Sequence, residues 1–316
     1  MLDALAEMAG CPVPSVDELL DHNSHLALNP RQATMYSTRA TKSRLHACIA
    51  IMNLSCGKTN KKVIASNRNV LAALVKVLAL PFHNGNSQQH QIEVILKGVT
   101  CIKNLSNADV NDAVLLGCKG LVSKIGSAAR SSCLFIVEME EFERNNPHLQ
   151  DQEARQRLKN CAQQACTNAC LALMNLSISK ANKYTVFKSP GIMESLMCVL
   201  DKGRGEARVK ACSALSNLAI GYANKVPMLH YPGFVQCILH LIEEEEHNSN
   251  ENDDAIRLAV RTKACSILWS FAAESKNQVP VVQRGDILPV LVKGRFGSFM
   301  MKFLHCIFSC AQLVCF

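Results

Sequence analysis

The ten residues "NLSISKANKY" (Asn175–Tyr184) nearly reproduce an earlier stretch of the chain, "NLSCGKTNKK" (Asn53–Lys62). Two such copies far apart in one sequence indicate a repeated structural unit. Three further copies appear when the sequence is read at fixed distances from the first asparagine, and in the last of them serine replaces that asparagine. We call these five first residues the anchors: Asn53, Asn104, Asn175, Asn217 and Ser270.

The residues around the anchors follow one pattern in all five copies. A bulky apolar residue stands two residues before each anchor and another stands one residue after it, whereas the residue six positions before it is alanine or glycine. Bulky side chains at this spacing form one buried helix face, and small ones let a neighbouring helix approach closely. A second asparagine stands seven residues after each anchor: Asn60, Asn111, Asn182, Asn224 and Asn277.

Each anchor is followed by a short helix, a turn and an apolar helix such as "GIMESLMCVL" (Gly191–Leu200). The turn position holds residues that tolerate a left-handed backbone, namely Asn69, Gly120, Gly191, Gly233 and, one position early, Gly285. The shortest spacing between anchors is 42 residues, from Asn175 to Asn217. Because such a unit buries its apolar faces only by stacking on its neighbours, the sequence predicts an all-α, right-handed α-solenoid of about five three-helix repeats.

We predict that this solenoid covers residues 41–295, after a polar N-terminal segment or partial repeat over 1–40. An apolar tail over 296–316 follows it, interpreted as a degenerate closing helix, with a marginal membrane anchor or a misread gene end as alternatives. Two acidic runs near 138–155 and 243–254 have the composition of solvated loops. Without these runs the chain, whose net charge is +8, is distinctly basic, which favours acidic partners.

Composition narrows the class of protein further. Of the 316 residues 48% are hydrophobic and only 5% aromatic, which favours helices over sheets. The N-terminus lacks the pattern of a secretory signal, so we expect a cytoplasmic or nuclear protein with reduced cysteines and no glycosylation at its Asn-x-Ser triplets. The cysteines and histidines lack the paired spacing of a zinc site, and we expect neither a metal nor another cofactor.

The repeated pattern resembles that of the armadillo-repeat family. The resemblance runs roughly from Thr41 to Val292, and it is carried by "ALMNLS" (Ala172–Ser177), "ALSNLA" (Ala214–Ala219) and "PGIMESLMCVL" (Pro190–Leu200). It implies a non-enzymatic binding scaffold in which the third helix of each unit lines a concave groove. We therefore expect no enzymatic activity.

The resemblance also implies a role for the anchor asparagines. In the family, an asparagine near the end of the third helix binds the backbone of an extended peptide, and an amide suits this role because it offers both a donor and an acceptor. The matching residues here are Asn53, Asn104, Asn175 and Asn217, whereas Ser270 breaks the row. The alternative is that these asparagines only cap the ends of their helices.

Basic residues stand on the same face of the predicted third helices. The position seven residues before the anchor, nearly two helical turns away, carries His46, Lys97, Lys210 and Lys263, and Asn168 in the third copy. We predict that they form a basic stripe beside the asparagines that selects acidic or phosphorylated extended segments, as in the similar basic groove of β-catenin. The alternative is an ordinary solvated lysine face.

Three other functions stay open at this stage. A nuclear-import adaptor of the importin-α type would carry tryptophans one turn before the anchors, where this chain has Ile49, Thr100, Leu171, Ser213 and Ser266. An RNA-binding α-solenoid would also use a basic groove, although we favour protein partners over nucleic acid. A substrate-recruiting part of a ubiquitin-ligase assembly is the third. No membrane contact is expected except through the tail.

Overall fold

The computed structural model describes residues 1–12, 30–81, 88–243, 251–287 and 289–290, and every regular element within these ranges is a helix. The chain divides into two compact units, Met1–Ala172 (unit 1) and the residues from Leu173 onward (unit 2). The predicted tail over 296–316 lies outside the described residues. So does most of the segment between residues 13 and 29, including "SVDELL".

Unit 1 contains two consecutive three-helix repeats after an N-terminal pair of helices. The helices are α1 (Leu2–Gly10), α2 (Pro30–Leu54), α3 (Asn60–Ser66), α4 (Arg68–Leu78), α5 (Gln88–Ser106), α6 (Asp112–Gly117), α7 (Leu121–Asn145) and α8 (Gln152–Leu176). A short 3-10 turn, Asp109–Asn111, precedes α6. Helix α8 crosses into unit 2 at Leu173.

Unit 2 continues with the same order of short, second and third helices. These are α9 (Lys183–Lys188), α10 (Ile192–Lys202), α11 (Gly205–Ala219), α12 (Tyr222–Leu229), α13 (Phe234–Glu243), α14 (Glu251–Ala272) and α15 (Ser275–Gln283). The all-α fold and the three-helix repeat are therefore confirmed.

Three of the turns between the first and second helices lie where the pattern placed them, whereas Gly285 in the fifth copy does not have a left-handed φ. Gly120, Gly191 and Gly233 have φ angles of 80°, 77° and 72°, a left-handed conformation that a side chain disfavours. The first copy differs, because Asn69 lies inside α4. There the side chain of Asn67 caps the helix by accepting a hydrogen bond of 2.9 Å from the backbone N–H of Val70.

The core follows the predicted buried stripe. The residues two before each anchor, from Ile51 to Leu268, are at most 1% exposed, and the small residues six before each anchor are buried as well. Gly98 shows why they are small: a Cβ atom there would lie 2.7 Å from Cγ1 of Val77. The recurring cysteines are also buried, and burial raises the pKa of the Cys212 thiol to about 12, so this thiol packs as an apolar side chain.

The acidic run near 138–155 is not a loop, and that expectation was wrong for most of its length. Helix α7 continues to Asn145 and α8 begins at Gln152. The carboxylate of Glu143 bonds Lys159 at 2.6 Å and Arg155 at 3.3 Å, so charge is balanced between the two helices.

An apolar cluster packs this extended helix pair against α5. Phe135 and Ile136 of α7 pack with Ile92 of α5 and Ala162 of α8, and Met139 and Leu158 pack against them. Amino-acid composition does not reveal such packing of one helix against another. For the second acidic run, α13 ends at Glu243 and residues 251–254 are helical, whereas 244–250 lie outside the described part of the chain.

The first forty residues hold more structure than a polar segment. Helix α1 packs against α2 and α4 and buries Ala6 and Ala9. The carboxylate of Asp3 accepts hydrogen bonds of 3.0 and 2.9 Å from the side chains of Asn67 and Asn69, which tie α1 to the start of α4. Within the described ranges, no helix is both long enough and apolar enough to cross a bilayer.

Candidate binding surface on the third helices

The anchor asparagine of α5 is held by the preceding repeat of unit 1. Asn104 Nδ2 donates a hydrogen bond of 2.9 Å to Ser55 Oγ and lies 3.5 Å from Cys56 Sγ. The hydroxyl of Ser55 donates its only proton to the carbonyl of Met52 at 2.5 Å. Because that proton is committed, Asn104 must present its nitrogen, and its carbonyl oxygen faces away from this contact.

The same arrangement recurs in unit 2. Asn217 Nδ2 donates to Ser177 Oγ and to the carbonyl of Met174, both at 3.2 Å. Ser177 Oγ donates to the same carbonyl of Met174 at 2.7 Å. The serines of two Asn-Leu-Ser triplets, Ser55 and Ser177, thus serve as acceptors for the next anchor, which gives these triplets a packing role.

The fifth anchor has lost both members of this pair. Ser270 replaces the asparagine, and Ala219 replaces the serine that would accept its hydrogen bond. The hydroxyl of Ser270 instead donates to the carbonyl of Ser266 in its own helix, at 2.9 Å. The asparagine and the serine change together, as expected if they work as a pair.

The geometry revises the predicted chemistry of the anchors. Asn104 and Asn217 spend their amide nitrogen on the preceding repeat, so each offers a ligand an acceptor oxygen rather than a donor and an acceptor. Both side chains are half-buried, as is Asn175, whereas Asn53 is exposed.

The second asparagine row, which sequence reasoning noticed without assigning a role, is more deeply buried in four of its five copies, Asn60 being exposed. Asn224 is fully buried, and its Nδ2 donates to the carbonyl of Leu218 at 3.1 Å and to that of Lys183 at 3.0 Å. The first bond caps the end of α11, and the second ties α12 to the preceding repeat. One side chain therefore closes a helix and joins two repeats.

Within their own units, Asn111 makes both of these contacts and Asn277 makes the one with the preceding repeat. Asn111 Nδ2 donates to the carbonyls of Leu105 and Lys61 at 3.0 and 3.4 Å. Asn277 Nδ2 donates to the carbonyl of Lys225 at 3.1 Å. The signal in the sequence was the presence of asparagine in all five copies, including the one that lost its anchor.

The predicted basic residues lie on the third helices in both units. In unit 2, α11 and α14 pack side by side, and Cys212 Sγ donates to the carbonyl of Val260 at 3.6 Å. This contact places Lys210 and Lys263, which hold equal positions in their repeats, on adjacent helices. Lys263 is exposed, whereas Lys210 forms an ion pair of 2.6 Å with Glu206 one turn earlier.

In unit 1, His46 on α2 is exposed and Lys97 on α5 is half-buried. The third copy carries no cation at this position, and Asn168 donates instead to Thr100 Oγ1 at 3.0 Å. The stripe is thus interrupted at Asn168 and partly neutralised at Lys210. Among the described residues, no three histidine, cysteine or acidic side chains are grouped so as to hold a metal ion.

Comparison with known proteins places this repeat in a structural class. No family model matches the sequence, and no curated protein matches it. A designed armadillo repeat protein is 14% identical, with a TM-score of 0.56 over 97% of this chain and 100% of its own. Two engineered proteins, 16% and 15% identical, have TM-scores of 0.57 and 0.56, each over 98% of this chain and over 98% and 96% of their own.

The chain is therefore an α-helical repeat protein. Its repeat is of the armadillo type, as the three-helix unit and the designed neighbour show. The resemblance predicted from the sequence is therefore confirmed at the level of the fold.

Proposed function

We propose that the chain is a non-enzymatic protein-interaction scaffold whose third helices bind extended acidic or phosphorylated segments of partner proteins. The observation that carries this proposal is the surface of unit 2 around Asn217. Its amide is fixed by Ser177 and Met174, so its carbonyl oxygen is presented in a set orientation to accept a backbone N–H. Preorganisation of this kind lowers the entropic cost of binding.

Basic side chains lie nearly two helical turns before the anchor positions of α11 and α14, on the same helix face. Lys263 is exposed on α14, and Lys210 on α11 is already paired with a single exposed carboxylate of Glu206. A ligand carboxylate or phosphate can take the place of Glu206, since exposed ion pairs of this type contribute only about 0.3–0.5 kcal/mol. In unit 1, Asn104 and Lys97 form a second such surface on α5.

Peptide binding tests the proposal directly. Short labelled peptides rich in glutamate or phosphoserine are titrated against the full chain, with alanine-substituted peptides for comparison. The variant Lys210→Glu, Lys263→Glu should lose most of the affinity. The variant Lys202→Glu, Lys276→Glu, an equal change of charge at exposed positions of α10 and α15, should not.

The outcomes separate the competing functions. If the Lys210→Glu, Lys263→Glu variant bound the acidic peptides as tightly as the wild type does, the proposed site would be rejected. Tighter binding of lysine-rich peptides would favour an import-type adaptor, and preference for an RNA oligonucleotide with steep loss of affinity in salt would favour an RNA-binding solenoid.

A further inference from the structure

Unit 2 exposes four bulky side chains where its third helices turn into the short helices that follow. We call Ile178, Tyr184, Ile220 and Tyr222 the junction edge; they are 60%, 49%, 54% and 71% exposed. Bulky apolar side chains held this far out of the core contribute little to folding, and a group of them marks a site of interaction.

Contacts between the two junctions bring these side chains together. The bond from Asn224 to the carbonyl of Lys183 pins the start of α12 to the start of α9. Gly221 lies against the same residue, because a Cβ atom at this glycine would be 3.1 Å from Cβ of Lys183. Ile220 and Tyr222 flank Gly221, and Tyr184 follows Lys183, so all three surround one close contact.

Lys183 also fixes the turn that carries the fourth side chain. Its Nζ donates to the carbonyls of Ser177 and Ile178 at 2.7 and 3.0 Å, closing the end of α8. Ile178 is thereby held in a turn fixed by Lys183, with its side chain exposed to solvent. The edge is built on hydrogen-bonded turns rather than on loose loops.

The two segments that carry the junction edge hold charges of one sign, and the exposed carboxylate of Glu194 on α10 accepts a hydrogen bond from Tyr231 at the far end of the second segment. Residues 177–189 and 220–232 contain no aspartate or glutamate. Lys180 and Lys188 are exposed there, and Lys188 Nζ lies 5.7 Å from the centre of the Tyr184 ring. In the next junction, the carboxylate of Glu274 is buried and lies 3.9 Å from Lys225 Nζ, so it does not counter these charges.

The repeat itself does not require this surface. The positions in unit 1 that match Ile178 and Ile220 hold Cys56 and Asn107, and Asp109 stands where unit 2 has Tyr222. Unit 1 exposes valines at its junctions, namely Val63, Val110 and Val114, but no aromatic side chain. The combination of tyrosine, isoleucine and lysine is specific to unit 2.

We propose that the junction edge of unit 2 is a second docking site, for an acidic partner segment that inserts bulky apolar side chains. The carboxylates of the partner pair with Lys180 and Lys188, while its apolar side chains cover Ile178, Ile220 and the two tyrosine rings. Tyrosines flanked by cations and aliphatic side chains are typical of the centres of protein interfaces. A nucleic acid would leave the two isoleucines without partners.

The test uses a fluorescent peptide in which leucines are spaced among glutamates, titrated against the full chain. Two control peptides replace the leucines with alanines or the glutamates with lysines. We expect binding of the first peptide alone, and a loss of affinity of about tenfold or more in the variant Tyr222→Ala, Lys180→Glu. The matched control Val110→Ala, Lys58→Glu, made at the two junctions of unit 1, should bind as the wild type does.

This proposal stands apart from the surface on the third helices. The variant Lys210→Glu, Lys263→Glu should keep its affinity for the leucine and glutamate peptide. Absence of binding to the wild type, full retention by the Tyr222 and Lys180 variant, or loss in the Lys210 and Lys263 variant would each overturn the junction edge as a separate site. The proposal would also be overturned if self-association of the chain displaced the peptide, or if an RNA oligonucleotide bound more tightly and displaced it.

Discussion

Two contacts between neighbouring repeats of unit 2 differ in one respect. At the first contact, Asn217 of α11 bonds Ser177, which follows α8. At the next contact, Ser270 replaces the asparagine and Ala219 replaces the serine. The buried asparagines Asn224 and Asn277 bond the preceding repeat in both places. Within unit 2, stacking therefore keeps the buried asparagine at both contacts and dispenses with the anchor pair at one of them.

The largest expected effect comes from breaking the row that both contacts share. Asn224→Ala removes two hydrogen bonds and leaves two buried carbonyls without this donor, which should lower the free energy of unfolding by about 2–4 kcal/mol. Urea denaturation measures the change. Asn60→Ala is the control, since Asn60 is exposed and makes a single bond of 3.2 Å, to the carbonyl of Leu54.

A smaller effect is expected from the anchor pair. Asn217→Ala and Ser177→Ala should each cost about 1 kcal/mol, and the double variant should cost less than their sum because the two side chains share one interaction. A double-mutant cycle by urea denaturation measures that coupling. Strict additivity would contradict the pairing.

Restoring the asparagine and serine that are missing at the fifth anchor tests the same comparison in the opposite direction. Ala219→Ser together with Ser270→Asn should stabilise unit 2 by about 0.5–1 kcal/mol, whereas either change alone should be nearly neutral. The same denaturation assay applies. A double variant that is less stable than the wild type would show that the fifth contact has another geometry.

The smallest expected effect is a pH dependence of the unfolding free energy that comes from Lys183, whose carbonyl accepts a hydrogen bond from Asn224. Burial lowers the pKa of Lys183 below its ordinary value near 10.5, because the charged form is poorly solvated. Between the folded and unfolded pKa values the unfolded chain binds more protons, so this side chain adds stability as pH rises toward 10.5. The variant Lys183→Met should lack that rise when its unfolding free energy is compared with that of the wild type across the alkaline range.

The repeat could be predicted from the sequence because its signals are local and recur. Apolar residues at helical spacing and glycines at the turns act within one repeat, so five copies confirm each other without any knowledge of distant contacts. The basic residues and the anchors were likewise found by position, and their proposed role in binding stays a prediction.

Contacts between segments far apart in the chain could not be predicted in this way. Composition suggested a loop near 138–155, but pairing of Glu143 with Lys159 and packing of Phe135 on Ile92 favour helices there. The short N-terminal helix gave no clear pattern, because its contacts are with distant residues: Ala6 and Ala9 are buried against other helices, and Asp3 bonds Asn67 and Asn69 at the start of α4.

The sequence by itself determined the all-α repeat, the buried stripe and the positions of the anchors, since these depend on periodicity along one helix. Only the tertiary structure decided which amide atom of Asn217 is committed, that the second asparagine row joins the repeats, and that Tyr184, Ile220 and Tyr222 surround one contact. Those properties depend on which atoms of separate repeats come within hydrogen-bonding or van der Waals distance, and periodicity carries no record of that.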